Sequence, residues 1–125
     1  MNTGGTVGTA AWVFAHSILK LSDVGMVGVD LGYYAGTPYE KTQTYYELQK
    51  HIGDNGNIED CFVDVEFPLT KEKFMIDPTY AWYRRNFLQL LAKSGATVFN
   101  CTEGGTFFGD GVECISLDDF LKKNK

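Results

Sequence analysis

The chain has 125 residues, the size of one domain, and its 44% hydrophobic and 22% charged content is typical of a chain that buries a core. A net charge of −5 without a basic stripe argues against nucleic acid as the main partner, and no apolar run reaches the ~20 residues of a membrane span. Three cysteines without CxxC spacing predict reduced thiols and a cytoplasmic location.

A glycine pair and an amphipathic helix open the chain. Apolar residues recur at helical spacing over positions 7–21, directly after a Thr-Gly-Gly-Thr turn. Such a turn normally follows a strand, so we expect that the sequence is a fragment lacking N-terminal strands. With no Cβ in the way and first-turn amides pointing outward, Gly4, Gly5 and Thr6 are candidates for a phosphate cradle. A flexible chain start is the alternative interpretation.

The segment 24–31 (VGMVGVDL) predicts a buried parallel strand that ends at Asp30. This carboxylate could orient a ribose hydroxyl or bind a metal ion, or it could cap the following loop through its own backbone. Three tyrosines lie in or near that loop: Tyr33, Tyr34 and Tyr39. Their phenols could donate hydrogen bonds to a phosphate, or their rings could pack beneath the loop.

The middle of the chain predicts a helix, a β-hairpin and a second helix. Residues 37–40 (TPYE) match a capping box, with a helix expected to about His51. Alternating residues over 61–67 and an apolar run at 74–76 predict the hairpin. Asp77-Pro78 then predicts the start of a helix that ends at Gly95.

The last part of the chain predicts a buried strand over 96–100 and a short helix from Ser116. Between them, Thr102, Glu103, Gly104 and Gly105 could form a second polar turn near a ligand, or a tight turn only. Strands alternating with helices predict a parallel sheet with right-handed crossovers, covered on both faces. Ligands bind beyond the carboxyl ends of such strands, so we expect the three glycine-rich corners to share one cleft.

Three ordered segments, GGTVGTAAWVFAH, VGMVGVDLGYY and ATVFNCTEGGTFFGDGV, together resemble the 6-hydroxymethylpterin diphosphokinase MptE-like family, which includes a domain of flagellar motility accessory factors. The resemblance spans nearly the whole chain as a single domain, residues 1–125, and matches the C-terminal portion of the family domain. It implies a Rossmann-like, three-layer α/β/α fold with a mainly parallel sheet and a small hairpin. It also implies a nucleotide-dependent transferase that moves diphosphate from ATP to a hydroxymethyl acceptor with Mg²⁺.

Two alternatives stay open. Other members of this family are linked to glycosylation, and the fold is similar to that of bacterial sialyltransferases that use a CMP-sugar; the resemblance then implies a glycosyltransferase using a nucleotide-activated sugar. Those sialyltransferases carry a histidine base before a late helix, where this chain has Asp77-Pro78. The other alternative is a non-catalytic binding module or inactive fragment. We expect a small-molecule nucleotide as partner, Asp30 as the catalytic or Mg²⁺-binding residue, and leave a homo-oligomer open.

Overall fold

The computed structural model describes residues 4–125, and within them the chain is a mixed α/β protein. The α-helices are α1 (Val7–Val13), α2 (Tyr45–Ile52), α3 (Pro78–Ser94) and α4 (Leu117–Lys123). The strands are β1 (Gly25–Met26), β2 (Tyr33–Tyr34), β3 (Val63–Glu66), β4 (Lys73–Ile76), β5 (Val98–Asn100) and β6 (Val112–Cys114). These strands form two separate three-stranded sheets.

The first sheet is parallel and has the order β1-β5-β6. Gly25 pairs with Phe99, and Val98 pairs with Val112. The main hydrophobic core joins this sheet to α1 and α3, and its buried members include Trp12, Met26, Phe87, Leu91, Val98 and Phe107. The predicted parallel sheet is therefore confirmed, and the carboxyl ends of β1 and β5 lie side by side.

The second sheet is antiparallel and has the order β2-β4-β3. The predicted hairpin of β3 and β4 is confirmed, with Val65 opposite Phe74. The predicted glycine- and tyrosine-rich loop is wrong in part, because Tyr33 and Tyr34 form β2 opposite Met75 and Phe74. Tyrosine fits a half-buried pleated surface well, and the partner strand that uses this preference lies about 40 residues further along the chain.

Two predicted boundaries are wrong for local reasons. The strand expected over 24–31 is limited to Gly25–Met26, since Gly28 (φ +78°) and Leu31 (φ +48°) are left-handed and end the extended backbone. The helix expected from Thr37 begins at Tyr45. The Thr37 hydroxyl donates to the Tyr34 carbonyl instead of capping a helix, and a 3₁₀ turn at Tyr39–Lys41 follows.

The helix termini follow their predicted chemistry more closely. The Thr6 hydroxyl accepts a hydrogen bond from the Thr9 amide at the start of α1, which continues as a π-helix over Phe14–Ile18. Asp77 caps α3 with Pro78 at its first position, and Gly95 ends it in the left-handed conformation. Ser116 caps α4. The predicted caps Asp77 and Ser116 and the predicted end of α3 at Gly95 are confirmed, whereas the cap by Thr6 was not predicted.

One surface of the N-terminal helix is apolar and open. Val7 is 88% exposed, and Phe14 and Ile18, about two and three turns further along, are 50% and 55% exposed. Val27, just after the edge strand β1, is also largely exposed. Among residues 4–125, no helix combines the length and apolar character that crossing a bilayer requires.

Candidate functional site

A cavity of about 650 Å³ opens beyond the carboxyl end of β1 and reaches the antiparallel sheet. Its volume is in the usual range for small-molecule sites. The described residues that line it are Thr6, Gly8, Gly28, Val29, Asp30, Leu31, Gly32, Tyr33, Tyr34, Thr37, Phe74 and Tyr80. The N-terminus of α1, the end of β1 and the tyrosine-bearing strand β2 therefore meet at one place.

The turn after β5 holds the β1 end loop (residues 27–32) from behind. The Thr102 hydroxyl accepts a hydrogen bond from the Val29 amide at 3.0 Å, and the Thr106 amide donates to the Asp30 carbonyl at 2.7 Å. The buried Thr106 hydroxyl donates to the Leu31 carbonyl. Thr102 is thus a support for the loop that carries Asp30, and it does not line the cavity itself.

Close backbone contact explains two of the glycines. A Cβ on Gly105 would lie 2.5 Å from the Asp30 carbonyl oxygen, and a Cβ on Gly32 would lie 2.8 Å from the Met75 carbonyl oxygen and would also meet the Thr106 methyl group. Gly104 faces elsewhere: its Cβ position is 3.0 Å from the ring of Phe74. Gly105 therefore lets this turn approach the loop that carries Asp30, and Gly104 lets it approach Phe74 in the cavity wall.

The first corner divides between the cavity and the core. Thr6 lines the cavity, whereas Gly4 is buried beside Thr9. The Cβ position of Gly5 is 2.8 Å from the Trp82 ring. The structure places Gly4 and Gly5 against α1 and α3, so of the predicted cradle it brings Thr6 to the cavity.

Glu103 and Tyr39 also lie away from the cavity. A carboxylate oxygen of Glu103 is 3.5 Å from the Leu117 amide at the start of α4. The Tyr39 ring packs 4.8 Å from the ring of Phe62. The structure therefore shows a contact with the start of α4 for Glu103 and ring packing for Tyr39, and neither residue lines the cavity.

Tyr33 and Tyr34 line the cavity in different ways. The Tyr33 hydroxyl donates to the Asp77 carboxylate at 3.1 Å and accepts from the Gln43 amide. Burial raises the pKa of the Tyr33 phenol above its ordinary value, so the hydroxyl keeps its proton for Asp77. Tyr34 is 64% exposed, and its ring lies 5.0 Å from that of Phe74.

Asp77 joins three elements beside the cavity. Its carboxylate is 1% exposed and accepts hydrogen bonds from the Tyr80 amide, the Tyr33 hydroxyl and the Thr44 hydroxyl at 2.8, 3.1 and 2.8 Å. The Tyr80 hydroxyl donates in turn to the Gln43 side chain. This network holds α3, β2 and the start of α2 in fixed positions. Fully engaged and buried, Asp77 is a positioning residue.

The charge of the cavity is unusual for a phosphate site. Asp30 is the charged side chain among its described lining residues, which include no lysine, arginine or histidine. No hydrogen bond within residues 4–125 engages the Asp30 carboxylate, and no group of three or more potential metal ligands occurs there. A single free carboxylate fits a Mg²⁺ ion that arrives with substrate phosphates, since Mg²⁺ commonly takes one or two carboxylates and several waters.

Several lining residues were not predicted from the sequence. Thr37 fits a helix cap in the sequence, Phe74 belongs to the apolar run of the predicted hairpin, and Tyr80 falls within the predicted helix after Asp77. The break in the strand at Gly28, which has a positive φ, could have been predicted, because a glycine within an apolar strand pattern indicates a break. In comparisons with known proteins, the chain matches no family model, no curated protein and no solved structure.

Proposed function

We propose that the chain is a nucleotide-dependent transferase domain of the kind implied by its resemblance to 6-hydroxymethylpterin diphosphokinases, built on a three-layer Rossmann-like arrangement. The observation that carries the proposal is the cavity beyond β1, where the free carboxylate of Asp30 and the α1 cap Thr6 share one space. Ligand sites in parallel α/β sheets occupy this position, beyond the carboxyl ends of the strands.

The reaction transfers diphosphate from ATP to an acceptor alcohol. The acceptor oxygen forms a bond to the β-phosphorus of ATP. The bond between this phosphorus and the oxygen that bridges it to the α-phosphorus breaks, so AMP leaves, and the hydroxyl proton of the acceptor passes to water. Mg²⁺, when bound, would neutralise the phosphate charge. Asp30 would hold the ion, and the supporting contacts from Thr102 and Thr106 keep the Asp30 backbone in place. Positioning then suffices without a nucleophilic side chain.

The uncharged polar wall favours a second candidate, a glycosyltransferase that uses a nucleotide-activated sugar. Hydroxyl groups of Thr6, Thr37 and Tyr34 line the cavity with no basic side chain among the described residues. Sugar hydroxyls can bind such groups and the Asp30 carboxylate. The residue at the position of the sialyltransferase base, Asp77, is buried and engaged in three hydrogen bonds, so a base would have to come from elsewhere.

Thermal shift measurements test the proposal. We expect saturating ATP with Mg²⁺ to raise the melting temperature by about 5 °C, and EDTA to remove most of the shift. A larger shift with CMP- or UDP-sugars would favour the second candidate. No shift with any nucleotide would contradict both and favour a non-catalytic binding module or inactive fragment.

The variant Asp30→Ala should lose the shift with ATP and Mg²⁺ while keeping its own melting temperature, because the Asp30 side chain is exposed. Asp54→Ala removes an exposed carboxylate from the turn after α2 and is the matched control. Gly5→Val is unsuitable, since Gly5 has a φ of +88° and packs on Trp82, so valine would disturb the fold. An unchanged shift in Asp30→Ala would refute the site assignment.

A further inference from the structure

Tyr34 presents an open aromatic face to the cavity. It pairs with Phe74 across β2 and β4, and the two rings lie 5.0 Å apart with an interplanar angle of 33°. Phe74 is 3% exposed, whereas Tyr34 is 64% exposed. One side of the Tyr34 ring is therefore supported by a buried ring, and much of the remaining surface is accessible from the cavity.

The support beneath Tyr34 is rigid. Phe74 contacts Phe67, another fully buried ring, at 6.4 Å, and the absent side chain of Gly104 leaves room for the Phe74 ring on the other flank. The Tyr34 carbonyl accepts hydrogen bonds from the hydroxyl and the amide of Thr37. The strand and the turn thus fix the Tyr34 backbone, and the buried Phe74 ring supports one side of the Tyr34 ring.

The two neighbouring tyrosines differ in what they can offer a ligand. The Tyr33 hydroxyl donates its one proton to Asp77, so a hydrogen bond to a phosphate would break the network that holds α3. Tyr34 has its ring surface free, in a cavity whose described lining carries no cation to attract a phosphate. Tyr34 therefore differs from Tyr33 in having a ring surface that a ligand can reach.

We infer that Tyr34 is a stacking platform for a planar heterocyclic ring of the ligand, either the base of the nucleotide or a pterin-like acceptor. Aromatic side chains bind such rings by stacking, and the offset geometry needs only one open face. The inference rests on the proposed function and assigns a part of the ligand to a part of the same cavity. Asp30, in the β1 end loop that lines the same cavity, is left for the hydroxyl or phosphate end of the ligand.

The experiment compares ligands with and without the ring. Calorimetry or NMR titration would measure Kd for ATP with Mg²⁺, adenosine, 6-hydroxymethylpterin and tripolyphosphate with Mg²⁺, in the wild type and in Tyr34→Leu and Tyr34→Phe. We expect Tyr34→Leu to raise the Kd of the ring-bearing ligand by roughly 5-fold to 100-fold, and Tyr34→Phe to keep this Kd within about 2-fold of the wild-type value. Tripolyphosphate affinity should stay the same in every variant.

A matched control and the arms of the experiment separate the outcomes. Tyr46→Leu removes a tyrosine that is 74% exposed on α2 and should change no Kd. Loss of affinity for adenosine identifies the nucleotide base, and loss for the pterin alone identifies the acceptor. If ATP binds no better than adenosine but both depend on Tyr34, stacking stands and the phosphate part of the proposed function fails. An equal Kd in wild type and Tyr34→Leu for every ring-bearing ligand that binds overturns stacking, and binding of no ligand overturns both proposals.

Discussion

Asp77 shows how one residue serves both a helix and a site. As the N-cap of α3 it satisfies the Tyr80 amide, which any cap residue could do. Its second carboxylate oxygen also accepts from Tyr33 and Thr44, residues from two other elements. A buried carboxylate is tolerated here because donors compensate for its desolvation.

We predict that Asp77→Ala lowers the free energy of unfolding by about 3 kcal/mol, because it removes a cap and leaves two hydroxyl groups without their acceptor. Urea titration followed by circular dichroism measures the change. Asp118→Ala removes an exposed acid at the start of α4, whose ion pair with Lys122 is in solvent, and should change stability by less than about 1 kcal/mol. Equal effects of the two substitutions would show that the Asp77 network contributes no more than a surface charge.

At the scale of elements, the loops after β1 and β5 depend on each other. The β1 end loop contains two residues with positive φ, Gly28 and Leu31, and its amides and carbonyls find partners in Thr102 and Thr106. The left-handed Leu31 is uncommon for a residue with a branched side chain, so the contacts from the second loop hold it there. The conformation of each loop therefore depends on contacts with the other.

Gly105→Ala tests this dependence. Its Cβ would lie 2.5 Å from the Asp30 carbonyl oxygen, so we predict a loss of at least about 2 kcal/mol in the free energy of unfolding and a weaker ligand shift. Gly53→Ala is the matched control, since Gly53 also has a positive φ but nothing within 4 Å of its Cβ position. The control should lose about 1 kcal/mol from strain alone. If both variants lose the same amount, the close contact is not important.

At the scale of the whole molecule, alkaline pH should weaken the fold. Burial raises the pKa of the Cys101 and Cys114 thiols above the ordinary 9.0, with Glu103 and Cys101 respectively adding to the effect. Well below pH 9 the thiols are protonated in both the folded and the unfolded state, so their ionisation does not change stability. Above it the unfolded chain releases protons that the native chain keeps, so the free energy of unfolding falls as pH rises. Tyr33 adds the same effect above pH 10.

We therefore predict a level pH profile of stability up to about pH 8 and a decline above about pH 9, measured by urea titration with a reductant present. The double variant Cys101→Ala and Cys114→Ala should decline less steeply between pH 9 and 10. Cys61→Ala, which removes the third free cysteine, should keep the wild-type slope. A double variant with the slope of the wild type would contradict the assignment to these thiols.

The exposed apolar residues Val7, Phe14 and Ile18 of the N-terminal helix also belong to this scale. Surfaces of this kind often mark contacts with another chain or segment. The homo-oligomer stays a prediction, as does the cytoplasmic location.

Features that depend on a few neighbouring residues could be predicted from the amino-acid sequence. These features depend on neighbours in the chain, so their patterns could be recognised: the caps Asp77 and Ser116, the left-handed Gly95, and the hairpin of β3 and β4. The parallel pairing of β1 with β5 followed from alternating strands and helices. The placement of Asp30 beyond the carboxyl end of β1 also followed from it.

Only the tertiary structure decided which of these residues share a surface. Tyr33 and Tyr34 form a strand because Met75 and Phe74 lie opposite them, and Gly4 and Gly5 contact the core because α3 packs against them. The supporting role of Thr102 and Thr106 depends on a loop more than 70 residues away. Such long-range contacts leave no periodic signal in the sequence, since a residue's partner is set by how the elements pack and not by its spacing along the chain.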